Sequence, residues 1–336
     1  MLSEFVWFIL TFIFALIAGA LLTAAVRGWV VRQQMGQTVR EDGPQSHLKK
    51  MGTPTLGGLG MMAALTLATG LIWLLKGKEL SPAVPLSLGL ALAYAAVGFA
   101  DDWSKVRYKR SLGLKARARV PLELLLAGVF AWLLIHTGMA SATPVAAQLI
   151  HFGTGPVWIV LVLFVVFGGA NAVNLTDGLD GLAAGVTCFC AMALAASCWM
   201  LGLSDLALFS AALCGVSAGF LWLNCHPAAI FMGDVGSLGI GAALAAIAVA
   251  AHLELLLGVF GIVFVIEALS VIIQVLYFKR TGGKRVFRMA PFHHHLELGG
   301  MDETKIVVRF WILTLAAGAV ATALVAWLTT GYLIGS

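Results

Sequence analysis

Ala246-Ile247-Ala248-Val249-Ala250-Ala251-His252-Leu253-Glu254-Leu255-Leu256-Leu257-Gly258-Val259-Phe260 is apolar except at His252 and Glu254. Read as one helix or as the meeting of two, this stretch sets how often the chain crosses a bilayer, and hence the side on which each polar loop falls. Outward from it, uninterrupted apolar runs predict helices near 5–26, 56–75, 84–100, 120–138, 157–173, 181–202, 205–223, 236–252, 255–278 and 308–333. At about 20 residues per span, ten helices use roughly 200 residues. That is close to the apolar total, since 60% of the 336 residues are apolar and 11% are charged. An average soluble protein is about 25% charged. A soluble globular enzyme, a disordered chain and a disulfide-stapled secreted domain are excluded. The chain reads as an all-α polytopic membrane protein of ten transmembrane helices, one domain over 1–336 without repeats.

Charge decides between nine spans and ten. With ten, Lys76 and Lys78 fall on one side and the other 19 of the 21 Lys and Arg on the opposite side. Positive charge accumulates in cytoplasmic loops, so both termini are expected outside. Fusing the eighth and ninth helices would send Lys279, Arg280, Lys284, Arg285 and Arg288 outward. The net charge of +5 is then a property of the cytoplasmic face, suited to anionic lipid and anionic substrates. Polar loops at 27–55, 101–119, 174–180 with 224–235, and 279–307 are expected there, and with them whatever chemistry the chain performs. Residues 139–156, on the other side, contain no Asp, Glu, Lys or Arg.

Cys188, Cys190, Cys198, Cys214 and Cys225 lie in or beside apolar runs without a CxxC pair and read as small buried hydrophobes. Ser3 and Glu4 stand where a secretory leader needs positive charge, so the first apolar run is expected to be a helix of the mature protein.

The loop after the third helix opens Asp101-Asp102-Trp103-Ser104-Lys105 and continues with Arg107, Lys109, Arg110, Lys115, Arg117 and Arg119. Paired carboxylates hold a hard cation through oxygen and neighbouring bases neutralise phosphate; the plainer account is a helix end followed by a positive-inside signal. Asn171, Asn174 and Asp177 are three apart and share a face on a helical continuation. Gly178, Asp180 and Gly181 complete Asn-x-x-Asn-x-x-Asp-Gly-x-Asp-Gly. Capping of the sixth helix accounts for Asp180 but not for five residues, so this segment reads as a ligand site. Its Asn174-Leu175-Thr176 sequon falls in the cytoplasm and is not expected to be used.

Asp234 is the only acidic residue of Asn224–Ser237, and Gly233 and Gly236 lie on either side of it. It reads as an N-cap or, because Asp101, Asp102, Asp177 and Asp180 share its side, as a metal ligand; Phe231 is a stacking platform for a base or an interfacial aromatic. In Pro291-Phe292-His293-His294-His295-Leu296-Glu297, successive helical positions point about 100° apart, which favours phosphate or sugar contacts over one shared metal. Neither the Lys49–Gly58 segment nor Thr281-Gly282-Gly283-Lys284 has the spacing of a P-loop. Glu267 and Gln274 lie within a span, where an ionisable group raises a functional question; a packed, protonated Glu267 is the alternative.

Lys-x-Gly-Thr-Pro-Thr-x-Gly-Gly (Lys50 to Gly58), Asp-Asp-x-x-Lys (Asp101 to Lys105), the Asn171–Gly181 motif, Phe-x-Gly-Asp-x-Gly-Ser (Phe231 to Ser237) and Pro-Phe-His-His-His-x-Glu (Pro291 to Glu297) occur in this order. Together they resemble the bacterial phospho-N-acetylmuramoyl-pentapeptide transferases over nearly the whole chain. The aspartate motifs are shared with the wider polyprenyl-phosphate N-acetylhexosamine-1-phosphate transferase superfamily; the histidine run and the Thr-Pro-Thr segment point to the muramoyl-pentapeptide branch. The resemblance implies a Mg2+-dependent homodimer in the bacterial inner membrane, with its active-site cleft on the cytoplasmic side. It would convert UDP-N-acetylmuramoyl-pentapeptide and undecaprenyl phosphate to lipid I and UMP, with no nucleic-acid partner. By the same resemblance, Asp101, Asp102 and Asp234 are catalytic, with Asp234 on the metal and Asn174 reaching it. Lys50, Asp177, Gly178, Leu179, Asp180, Phe231 and Gln274 would line the nucleoside region. Lys115, Asn174, Asn224, His293, His294 and His295 would meet the diphosphate or sugar, and Thr55, Lys105, Asn171 and Gly233 complete the expected substrate-binding set.

An alkyl phosphate has a second pKa near 6, so the lipid phosphate needs little help from a base. Its difficulty is like-charge repulsion, which favours direct attack in a neutralising site over an aspartyl covalent intermediate. The rivals are a sister transferase using UDP-N-acetylglucosamine and a transporter with a divalent-ion site. The latter would need polar residues through the midplane.

Overall fold

The computed structural model describes residues 2–33, 52–77, 79–108, 113–140 and 154–335. Among them are twelve helices and no strand. They are α1 (Leu2–Arg32), α2 (Gly58–Leu75), α3 (Ala83–Tyr108), α4 (Ala116–His136), α5 (Pro156–Thr176), α6 (Leu182–Met200), α7 (Ser204–Asn224), α8 (Gly233–Ala250), the short α9 (Glu254–Phe260), α10 (Ile262–Arg280), the short α11 (Phe292–Glu297) and α12 (Glu303–Gly335). Ten are long and apolar enough to cross a membrane.

The eighth and ninth expected spans are separate. The chain turns at Ala251–Leu253, where His252 takes φ +55°, a conformation costly for a residue with a Cβ. The expected helix 255–278 is itself divided. α9 ends at Phe260, and Gly261, at φ −104° and ψ 36°, separates it from α10. Several helices also outrun their apolar stretches: α1 continues to Arg32, and α3 continues past Ala100 to Tyr108. Asp101 and Asp102 therefore lie within a helix and do not end one. Polar residues paired along the helix sustain it where hydropathy does not.

α8 is the central pillar. Every residue from Val235 to Ala250 is buried, and nearly all are Gly, Ala or β-branched. In an apolar solvent, helices associate through close backbone approach at small residues. Gly58 of α2 faces Gly236 of α8 so closely that a side chain on either would collide, and Gly98 of α3 lies against the carbonyl of Asp234. On α7, Gly215 and Gly219 receive the α1 backbone at Phe12 and Leu16. α1, α4, α10 and α12 present large apolar residues outward, among them Phe14, Trp132, Ile272 and Trp327. This arrangement fixes the N-terminal end of α8 against α2, α3 and α5, where the motifs converge.

Candidate active site

Asp101 and Asp102 are buried near the end of α3, and Lys105 follows one turn later. Its Nζ lies 2.7 Å from Asp101 Oδ2, 3.4 Å from Asp102 Oδ1 and 3.1 Å from Asp234 Oδ2. Asp234 occupies the first turn of α8 but makes no side-chain cap, so the N-cap alternative does not hold. Gly233 before it has φ +75°, and a side chain there would run into the carboxylate of Asp102 and crowd the hydroxyl of Thr55. Two further carboxylate oxygens are held by backbone amides: Leu114 N–H donates to Asp101 Oδ1 at 2.6 Å, and Val235 N–H to Asp102 Oδ2 at 3.0 Å.

A second ring of contacts surrounds Asp234. Arg119 Nη1 approaches Asp234 Oδ2 at 3.1 Å, and Asn174 Nδ2 donates to Asp234 Oδ1 at 2.9 Å and to Ser237 Oγ at 2.9 Å. Arg119 also donates through Nε to Glu123 Oε1 at 2.6 Å and through Nη2 to Asn171 Oδ1 at 3.3 Å. Asn171 Nδ2 completes the circuit on Glu123 Oε2 at 2.6 Å. Thus α3, α4, α5 and α8 meet in one polar network. Glu123, wholly buried, was not anticipated, and Arg119 was expected only as one base among many. The available signal was their spacing of four on a helix, which permits a salt bridge within an apolar run.

Carboxylate oxygens of Asp101, Asp102 and Asp234 all lie within 4.8 Å of one another. This all-oxygen set suits a hard divalent cation such as Mg2+. The Lys105 ammonium among the three carboxylates demonstrates that they converge on positive charge. The residues present therefore fit a cation of this class.

The turn after α5 brings in the second motif. Asp177 is half-buried and its carboxyl makes no hydrogen bond or ion pair with another described residue. Burial, followed by the charges of Asp234, Asp102 and Asp180, pushes it up to about 7. Leu179 is buried beside it. Asp180 leaves α6 uncapped; its Oδ2 accepts from Ala228 N–H at 3.0 Å and faces His226 Nδ1 at 3.1 Å. Asn224 spends its amide on the backbone, accepting from Gly181 N–H at 3.0 Å and donating to the Ile230 carbonyl at 2.9 Å. Phe231 joins the Pro54–Gly57 segment by backbone bonds in both directions.

In the 279–307 segment, His293 is buried against Glu267 and Gly178, His294 Nδ1 faces Glu297 Oε2 at 2.9 Å, and His295 Nδ1 accepts from Arg288 N–H at 3.1 Å. The three imidazoles take different partners: the His293 and His294 rings meet edge to face, 4.1 Å between centroids, while the His295 ring stacks on Phe292. Gln274 binds the loop backbone: its Oε1 accepts from Val286 and Phe287, and its Nε2 donates to the Phe287 carbonyl. It lines a groove with Lys279, Arg285 and Met289. Lys115 precedes α4 and is exposed. Lys50, Lys109 and Arg110 lie outside the described residues.

A transferase class is the first match: residues 84–252 fit the model of Glycosyl transferase family 4. This span contains the Asp101-Asp102 pair, the Asn171–Gly181 motif and Asp234. At full length, the chain is 41% identical to the phospho-N-acetylmuramoyl-pentapeptide-transferase of Bacillus subtilis over 328 residues, covering 98% of this chain and all of that one. The Bacillus pumilus protein of the same name gives the same identity and coverage. That of Geobacillus thermodenitrificans is 46% identical over 298 residues, 88% of this chain and 91% of its own. The chain belongs to the phospho-N-acetylmuramoyl-pentapeptide-transferase family.

Proposed function

We propose that the protein transfers phospho-N-acetylmuramoyl-pentapeptide from its UDP-linked donor to undecaprenyl phosphate, giving lipid I and releasing UMP. The observation that carries this reading is the convergence of Asp101, Asp102 and Asp234 with Lys105 and Arg119 in a chain of this family. Mg2+ is the proposed cofactor, held by Asp234 with Asp101, Asp102 and Asn174 nearby. When bound, it would neutralise phosphate charge and polarise the bond to UMP. The work of the chain's own residues is positional and electrostatic. A lipid phosphate oxygen attacks the sugar-bearing phosphorus, the bond between that phosphorus and the UMP oxygen breaks, and UMP leaves with the electron pair. Lys105 and Arg119 offset the repulsion between two anions, and Asp101 orients the attacking phosphate or takes a residual proton. Asp177, Gly178, Leu179, Asp180, Phe231 and Gln274 are assigned to the nucleoside side of the cleft, with His293, His294 and His295 toward the diphosphate and sugar.

The site is proposed to face the cytoplasm of a bacterial inner membrane, with both termini outside. The support is the division of 19 basic residues against two under the positive-inside rule. A single catalytic domain and a homodimeric assembly complete the reading. UMP release should require Mg2+, undecaprenyl phosphate and the muramoyl-pentapeptide donor together. Lipid-linked product from UDP-N-acetylglucosamine alone would overturn the donor assignment, and release without added lipid the direct attack.

A further inference from the structure

Glu267 and His293 form a buried dyad whose free end points at the nucleotide-side turn. Glu267 lies within α10, where an ionisable side chain is costly unless it has work and partners, and it is wholly buried. Its Oε1 and Oε2 accept from the backbone N–H of His293 at 3.2 and 3.3 Å, and Oε2 faces His293 Nδ1 at 3.1 Å. The first N–H groups of a helix have no partner within it; here a carboxylate on another helix satisfies one at the start of α11. With Glu267 as a carboxylate, Nδ1 is the ring nitrogen that carries the proton between them. The other ring nitrogen, Nε2, is buried and has no hydrogen-bond partner among the described residues. It lies against Gly178, where any Cβ would collide with it. A buried polar atom left unpaired is costly. Glycine at position 178 leaves the room that a ligand-facing imidazole needs.

We infer that Glu267 is a positioning residue: it fixes the ring and protonation of His293 so that Nε2 meets the bound donor beside the Asp177–Gly178 turn. This rests on the proposed transfer reaction, with His293 as the contacting group and Glu267 acting through it. Glu267→Gln keeps the shape and an oxygen for the His293 amide but offers an NH2 to Nδ1, which reverses the proton arrangement. Orienting partners of metal-bound histidines change affinity or activity by roughly 10–100-fold, and by analogy a fall in kcat on the order of 10–100-fold is expected for Glu267→Gln. In the His293→Ala background the same substitution should cause no further loss. A merely structural glutamate would lower activity by the same factor in both backgrounds, and that result would overturn the inference.

A second readout does not depend on turnover. In protein labelled with 15N-histidine, the signal that disappears in His293→Ala should report a protonated Nδ1 in the native chain and an unprotonated Nδ1 in Glu267→Gln. An unprotonated Nδ1 in the native protein would defeat the dyad even if activity followed expectation. A native chain that releases no UMP from the muramoyl-pentapeptide donor would instead defeat the reaction, while the nitrogen signals would still judge the dyad.

Discussion

Arg119 on α4 and Asp234 on α8 meet at 3.1 Å across 115 positions of sequence, and the same guanidinium holds Glu123 at 2.6 Å. A planar fork can serve two carboxylates at once, which a lysine ammonium does with less directional control. Removing one partner of a buried pair costs about 3–5 kcal/mol because a charge is left unpaired. Arg119→Ala should lower stability on that scale and reduce UMP release more than 100-fold. Arg119→Lys should recover most of the stability but little of the activity. Thermal unfolding in detergent alongside turnover separates the two, and equal recovery of both would contradict the fork.

Asp234 is the carboxylate on which Lys105, Arg119 and Asn174 converge. Asp234→Asn keeps volume but removes the charge that a divalent ion needs. Added Mg2+ should raise the unfolding temperature of the native protein and leave that of the variant nearly unchanged. An undiminished Mg2+ response in the variant would place the cation elsewhere.

Asp177 gives a pH test. A carboxyl raised to about 7 from the ordinary 3.8 is neutral in the folded protein at pH 5 but ionised when unfolded. The group's preference for the neutral folded form costs stability that grows as pH rises from about 4 to about 7 and then levels off. Asp177→Asn removes that cost, so its advantage in unfolding temperature over the native chain should widen between pH 4 and pH 7. Added Mg2+ should narrow it, because a bound cation favours the ionised carboxylate. A gap independent of pH would rule out burial as the cause.

Gly98 and Gly89 share α3, yet only Gly98 lies against another backbone, at Asp234. Gly98→Ala should displace the start of α8, costing about 1–3 kcal/mol from overpacking and separating Asp234 from Lys105. Gly89→Ala meets nothing within 4 Å and should leave both stability and turnover near native. Similar losses in both variants would mean that glycine flexibility matters more than close approach.

The ten long helices were legible in the sequence because apolar runs report local chemistry; Asp101, Asp102 and Asp234 could be placed on one side of the membrane, but their meeting depends on packing that no local pattern carries. Helix ends were less legible. Hydropathy stops at Ala100, whereas α3 continues to Tyr108 through Asp101, Asp102 and Lys105, whose pairing is a side-chain matter. The break at Gly261 was hidden because the flanking residues are apolar on both sides. Glu123 escaped notice as a single acid in an apolar run, its importance set by Arg119 and by Asn171 on a different helix. Asn224 was readable as a candidate contact, but its engagement with Gly181 and Ile230 depends on a chain reversal that no local pattern specifies.

The i, i+4 pair of Asp101 and Lys105 also bears on biosynthesis. Translation delivers α3 to the bilayer well before α8 has been made, when Asp234 and the contacts around it are still absent. Unpaired carboxylates near a membrane core resist insertion, whereas Lys105 travels with them on the same helix as a tethered counter-ion. A helix that carries part of its own counter-charge is expected to need less help from the later segments to enter the lipid.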